Sequence, residues 1–422
     1  MTNQAAHDVV VLGAGIIGVS VALHLQQRGR KVALVDRGAP GHGTSFGNAG
    51  LIERSGVVPY GFPRDLRMLL QYGLGLNPAV RLDWRFLPRA APWLWRFWRA
   101  SSPRALQRAA ADLLPLIERS VAEHECLLQA AGASGILRRQ GWIELHRGVA
   151  GFVVQVEQAP RLRALGLEFD LLGPDAVHLA QPGLLGRFAG AVYWRDPATL
   201  ADPAAMVQAY ADLFRRRGGS VLGGDAASLV EERVGWHFQA DGAAHHAREA
   251  VVALGPWSDA VCARLGYRFP LLAKRGYHMH YAAPPDTVLR VPVVDADHGY
   301  VLSPMVRGIR LTTGVEFAAR DAVATPRQLN AAERKAAGLF PIGERRDAAP
   351  WMGARPCLPD MRPVIGRAGR HAGLWFAFGH NHHGLTLGPA TGRLLAEIMT
   401  CESPFADPAP FSPARFDRRG AW

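Results

Sequence analysis

Lysine is almost missing from this 422-residue chain: Lys31, Lys274 and Lys335 are the only lysines among 48 basic residues, so nearly all positive charge is arginine. Cysteine is scarce too. Cys126, Cys262, Cys357 and Cys401 lie far apart, which excludes a disulfide framework or a paired zinc site and suits a reducing compartment. No apolar run approaches the roughly 18 residues of a membrane span without Arg, Asp or Glu, and residues 1–8 lack the basic and apolar regions of a secretion signal. A cytoplasmic protein is expected. Acids are also outnumbered: 36 Asp and Glu leave a net charge of +12. That excess admits nucleic acid, an anionic membrane surface or acidic ligands as partners. The rest of the composition, 49% hydrophobic with Gly and Pro scattered aperiodically, is that of a globular chain long enough for two or three domains.

Asp8 to Leu12 reads as a buried parallel strand. Gly13-Ala14-Gly15-Ile16-Ile17-Gly18 follows, then a helical pattern to Arg28, a Gly29 stop, and a second strand from Lys31 to Val35 that ends in Asp36. This strand, glycine turn, helix and acid form the context in which G-x-G-x-x-G is informative. Gly13 allows the tight turn, Gly15 lets backbone approach a pyrophosphate, and Gly18 lets the helix pack on the sheet. Asp36 is placed to bind both hydroxyls of an adenosine ribose, which argues against NADP. NAD and FAD both remain open on this motif. The small-residue loop Gly41 to Gly50 favours FAD, because its backbone can lie against a longer dinucleotide.

Two further strand-to-loop turns have the same texture: Glu249 to Ser258, and Leu374 to Phe378 leading through Gly379-His380-Asn381-His382-His383-Gly384 into a helix to Glu397. A helix N-terminus after such a loop can aim its positive end at the N1/C2 edge of a flavin. Residues 266–320 alternate as strands of an antiparallel sheet.

On these residues, with Lys274 to Tyr277, Gly353 to Pro356 and Pro363 to Gly366, the sequence resembles the FAD-dependent D-amino-acid oxidase and dehydrogenase superfamily. It looks most like bacterial D-amino-acid dehydrogenases, D-hydroxyproline dehydrogenases and glycine oxidases. Most relatives carry Glu where this chain has Asp36, and the shorter acid can still reach the ribose. The resemblance implies an α/β fold: a Rossmann-like, glutathione-reductase-like FAD domain from 1–85, 196–265 and 346–422, with an inserted α+β substrate domain, 86–195 and 266–345, on an antiparallel sheet. It implies a noncovalent FAD cradle of Gly13, Ala14, Gly15, Ile16, Ile17, Gly18, Asp36, Arg37, Thr44, Ser45, Asn48, Ala49, Gly50, Leu51, Ala253, Leu254, Gly255, Trp257, Gly379, His380, His383, Gly384, Leu385 and Thr386. Cys357 does not match the cysteine that binds flavin covalently in some relatives.

The implied reaction, part of bacterial amino-acid catabolism, moves a hydride from the substrate α-carbon to flavin N5 and leaves an imine that water converts to a keto acid when the substrate is linear. A D-amino acid is the expected substrate, with cyclic ones such as D-proline or D-hydroxyproline included, and a quinone or other acceptor takes the electrons. An oxygen-using glycine or sarcosine oxidase and a flavin subunit of a hetero-oligomer are the alternatives. Arg355 matches the carboxylate-binding arginine, whose planar fork suits a bidentate grip. His382 falls where relatives face substrate. Tyr277 and Tyr300 stand on the expected substrate sheet and are candidates to close the pocket, and Glu53 is placed by position to meet an amine. The histidine run lacks an accompanying acid or cysteine in sequence, so no metal is expected.

Trp84, Trp93, Trp95 and Trp98 interleave with Arg81, Arg85, Arg89, Arg96, Arg99 and Arg104 around a single acid, Asp83. Such a stretch suits a lipid headgroup region and is expected to dock on the inner face of the plasma membrane, near a quinone. The arginines are otherwise dispersed, with no nucleic-acid-binding motif, so no nucleic acid partner is expected.

Overall fold

The computed structural model describes residues 6–417. The outer ends of the ranges 1–85 and 346–422 lie outside the described residues. A parallel sheet forms the first layer, in the order Ser220–Gly223, Val32–Asp36, Ala6–Leu12, Ala243–Val252, Leu374–Phe378. Its strands read as unbroken apolar runs because both faces are covered. Val9, Val11 and Leu34 enter one core with the helices, and Val10, Leu12 and Val35 enter another beneath the Trp236–Ala240 hairpin strand. Two helices lie side by side on the first face, Ile16–Gln27 and Gly384–Met399. Glycine sets their separation: a Cβ on Gly388 would stand 2.5 Å from the Ile16 side chain, and one on Gly392 2.6 Å from the Ser20 backbone. Pro103–Ala131, capped by Ser102 and ended by Gly132 in the left-handed region, packs across the second of these helices.

The second layer is a ten-stranded, largely antiparallel sheet running from Val80–Leu82 through Val315–Phe317, Leu272–Tyr281, Gly308–Thr312, Tyr300–Met305, Val293–Asp295, Trp142–His146 and Gly190–Trp194 to Phe169–Leu172. Trp351–Cys357 pairs with the other side of Leu272–Tyr281. Two strands from stretches assigned by sequence to the FAD domain, Val80–Leu82 and Trp351–Cys357, therefore belong to the larger sheet.

Strand periodicity sorts this sheet's residues between two faces. Tyr277, Met279, Tyr281, Tyr300, Leu302, Ile143 and Leu145 enter the core under the helix Arg327–Ala337. Lys274, Gly276, Trp142, Glu144, Val301, Thr312, Trp351, Gly353 and Arg355 line a cavity between the two layers.

Candidate active site

The cavity is one elongated space of about 990 Å³, at the upper end of what small-molecule sites occupy. At one end, Gly13 has a left-handed φ of 106°, and a Cβ there would lie 2.5 Å from the Ala253 carbonyl oxygen. A Cβ on Gly18 would fall 1.7 Å from the Gly13 carbonyl oxygen, so the glycines let turn, sheet and helix meet. Helix Ile16–Gln27 has no acid in its first turn, and its positive end opens into the cavity. The Asp36 carboxylate accepts from Ala14 N at 2.7 Å and Gly38 N at 2.9 Å, and its remaining lone pairs are free for a ribose.

The loop 44–50 is held from both layers. Ser45 Oγ accepts from Ile16 N, Thr44 Oγ1 donates to the Ala354 carbonyl, and Asn48 Oδ1 accepts from Gly50 N. Arg310 donates through Nη1 to the carbonyls of Phe46 at 3.0 Å and Asn48 at 2.6 Å, and Ser303 donates to that of Ala49 at 2.7 Å. The Trp351 ring lies where a Cβ on Gly47 or Gly353 would be, 1.7 and 1.9 Å away, and stacks on His278. Arg310, Ser303 and Trp351 were not legible as site residues, because an arginine or tryptophan on a strand gives no local sign of which loop it will grip.

This cradle fits FAD. Gly43 and Gly255 line the cavity with nothing within 4 Å of the position a Cβ would take, so a ligand has room against their backbone. The N-terminus of Gly384–Met399 also opens on the cavity and carries no acid in its first turn or side-chain cap. Of the expected cofactor residues, Ala14, Gly18, Gly50, Gly379 and Thr386 stand behind the wall rather than on it, and the others line it. Thr386 Oγ1 instead accepts from the backbone of Glu53.

At the far end lies Arg355. Gly276 makes room for it: a Cβ there would sit 2.7 Å from Arg355 Nη1. Nη1 donates to the carbonyls of Gly314 at 2.8 Å and Arg275 at 3.4 Å, and Nη2 to that of Thr313 at 3.1 Å. Three of the five guanidinium donors are thus fixed, and two are left for a ligand. Lys274, opposite Arg355 in register, sets its ammonium over the rings of Phe97 at 4.3 Å and Trp93 at 4.7 Å, and burial lowers its pKa.

Glu53, His382 and His383 converge beside them. Their ligand atoms all lie within 4.8 Å of one another, so the fold supplies the acid that the histidine run lacks in sequence. Burial, reinforced by the charge of Glu144 and opposed by Arg355, pushes Glu53 up to about 7. Burial lowers His383 to about 4 and His382 well below its ordinary value, with His383, Arg355 and Lys274 adding to the latter shift. Both rings are therefore neutral at physiological pH. Tyr60, at the mouth, packs 5.1 Å from the His382 ring.

Both tyrosine expectations need correction. Tyr277 adjoins the cavity, but its ring enters the core, where its hydroxyl donates to Glu316 at 2.7 Å and accepts from Arg275 and Thr325 N in a buried network. Tyr300 is fully buried in the core of the ten-stranded sheet, with its hydroxyl 3.5 Å from Arg147. The odd positions of Leu272–Tyr281 and the even positions of Tyr300–Met305 enter the core away from the cavity, and the sequence did not show which parity faces it. Trp93 is also no membrane contact: it is buried and its Nε1 donates to the Pro270 carbonyl. Tyr60, Trp142, Glu144 and Lys274 are cavity residues the sequence did not reveal.

Known proteins agree with this geometry. The family model for DAO, FAD dependent oxidoreductase, matches residues 8–398. A D-amino-acid oxidase of Bradyrhizobium diazoefficiens is 29% identical over 97% of this chain and 98% of its own length. A D-amino acid dehydrogenase of Cereibacter sphaeroides is 30% identical over 97% of this chain and 96% of its own. Among solved structures, glycine oxidase from Geobacillus kaustophilus superposes with a TM-score of 0.75 at 23% identity, covering 97% of this chain and 99% of that one. The L-proline dehydrogenase of P. horikoshii also gives 0.75, at 17% identity, over 98% and 99%. The cradle, the continuous cavity and these likenesses make one case, and the chain belongs to the DAO family of FAD-dependent oxidoreductases.

Proposed function

We propose that the protein oxidises a D-amino acid at its Cα–N bond and passes the electrons to a membrane quinone. The observation that carries the reading is Arg355, which lines the cavity with two donors left over after three carbonyls have fixed its plane. A carboxylate meets that fork in one orientation, which places the amine toward Glu53 and the α-carbon between them. FAD held in the cradle would supply the hydride acceptor for that carbon. Glu53, held at its backbone by Thr386 and raised to about 7, accepts a hydrogen bond from the amine and takes its proton at Oε2. His382 and His383 stay neutral and wall off water. Segments 1–85, 196–265 and 346–422 act as the FAD domain under this reading, with the two strands noted above lent to the substrate sheet. The flavin is held without a covalent bond.

The quinone half rests on the segment from Tyr60 to Trp98. Helix Leu66–Gly73 buries no residue, and Leu66, Leu70, Leu74, Leu76, Trp84, Trp95 and Trp98 are exposed. Trp95 and Trp98 stack, and Arg64 covers Trp98. An apolar face ringed by arginine fits an anionic lipid surface at the inner face of the plasma membrane. Among the described residues no helix is long and apolar enough to cross a membrane.

Anaerobic bleaching of the purified flavoprotein by a panel of D- and L-amino acids, proline and hydroxyproline isomers included, tests the substrate class. Bleaching by D-isomers supports it, and bleaching by none overturns it. Faster reoxidation by oxygen than by a quinone analogue would favour an oxidase instead. Co-sedimentation with anionic vesicles that is unchanged by joint replacement of Trp84, Trp95 and Trp98 with Ser would defeat the membrane reading.

A further inference from the structure

This chain has 48 arginines and lysines against 36 acids, so acids without an arginine or lysine partner are conspicuous. Glu53 and Glu144 are two of them, and both line the substrate end of the cavity. Among the described residues neither forms an ion pair with arginine or lysine. Arg54, next to Glu53, turns away to Asp196 at 3.4 Å. Glu144 accepts from Gln155 Nε2 at 3.2 Å on one oxygen and from Trp194 Nε1 at 3.1 Å on the other, and the His146 ring sets its Nε2 3.5 Å from the first of these oxygens. Trp142, on the same strand face, walls the same space. Both residues line the cavity, and their carboxylates keep acceptor capacity beyond these contacts.

A second observation points to a ligand here. His383 is 3% exposed, and its Nε2 is buried without a hydrogen-bond partner, 3.7 Å from Glu53 Oε2. Burial keeps this ring neutral, so Nε2 can act as an acceptor as well as a donor. An unpaired buried polar atom beside two carboxylates that lack an arginine or lysine partner is costly until a donor-rich group enters. Repulsion between Glu144 and Glu53 adds to that cost. The α-ammonium of an ordinary amino acid, seated between Arg355 and Glu53, satisfies only one of the two acids.

We infer that the side chain of the substrate carries a second positive charge, placed against Glu144, so that basic D-amino acids such as D-lysine and D-arginine are the preferred substrates. This deepens the proposed D-amino-acid reaction and rests on it. The two cations of the substrate meet Glu53 and Glu144, while its carboxylate meets Arg355; the charges of ligand and pocket then alternate. A neutral side chain of the same length leaves Glu144 without an ammonium or guanidinium partner, with only the His146 ring beside it.

The test compares kcat/KM for D-lysine with D-norleucine, and for D-arginine with D-citrulline, each pair matched in length and shape but not in charge. A preference of roughly 10- to 100-fold for the charged member is expected, the range of one charge-assisted hydrogen bond. In Glu144→Gln, checked for full flavin content, the ratio should fall toward one, chiefly through KM, and Glu144→Asp should recover part of it. Equal or reversed wild-type ratios would overturn the inference while leaving the D-amino-acid reading intact, since D-norleucine would still bleach the flavin. Failure of all four substrates to bleach it would remove both. A charged-substrate preference that survives Glu144→Gln would also overturn the assignment.

Discussion

Replacing Glu53 by Gln should make the protein more stable at high pH, although a buried side chain is being changed. The wild-type carboxyl group holds its proton to about 7 in the folded chain, against 4.5 as its ordinary value. The native state therefore binds more protons than the unfolded chain between these values, and stability must fall as pH rises through that window. At about 1.4 kcal/mol per unit the loss is roughly 3 kcal/mol, trimmed to ~2 kcal/mol because the side chain retains 19% exposure. Gln does not titrate and pays no such cost. The assay is urea unfolding of the holoenzyme and of Glu53→Gln at pH 5 and pH 8, with flavin fluorescence and far-UV dichroism as probes. The free-energy gap between variant and wild type should move in favour of Gln by ~2 kcal/mol from the lower to the higher pH. Parallel pH dependence in the two proteins, or a variant that loses ground at pH 8, would refute the reasoning.

Gly276→Ala drives a methyl into Arg355 Nη1 and should raise KM about 10-fold or more while flavin content stays normal; an unchanged KM would mean that Arg355 has no part in binding. Arg310→Ala removes two charge-assisted hydrogen bonds from the flavin loop, so FAD affinity, measured by titrating the apoprotein, should drop by roughly 10- to 100-fold. Tyr277→Phe leaves Glu316, Arg275 and Thr325 N without their shared hydroxyl, which costs about 2–4 kcal/mol of stability; kcat of the folded fraction should hold, since that hydroxyl faces away from the cavity.

Sequence carried the cofactor half of the site well and the substrate half poorly. Gly13 to Gly18 with Asp36 is a local device: a turn, a helix start and an acid whose roles depend on near neighbours. Its second and third pieces, 253–257 and 379–385, were readable because each is an apolar strand running into small residues. The substrate end has no such punctuation. There, function depends on which parity of a strand faces inward, and a shift of one residue exchanges the two faces. Glu144 stands on the inward parity and went unnoticed, and Lys274 was legible as part of a motif and not as a cavity residue, whereas Tyr277 and Tyr300 attracted attention from the outward one. Trp93 illustrates the same limit on the helix Leu87–Ala100, where Trp95 and Trp98 reach the surface and Trp93 is buried.

The grip of Arg310, Ser303 and Trp351 on the loop 44–50 has a consequence for how the molecule matures. Residues more than 250 positions downstream hold the segment that touches the flavin, so a nascent chain that has completed its first glycine turn still lacks a finished cofactor seat. Flavin uptake becomes a late event in biogenesis and an audit of the whole polypeptide. A truncated or mispaired product stays colourless, and the yellow of the purified protein certifies that its distant halves have met.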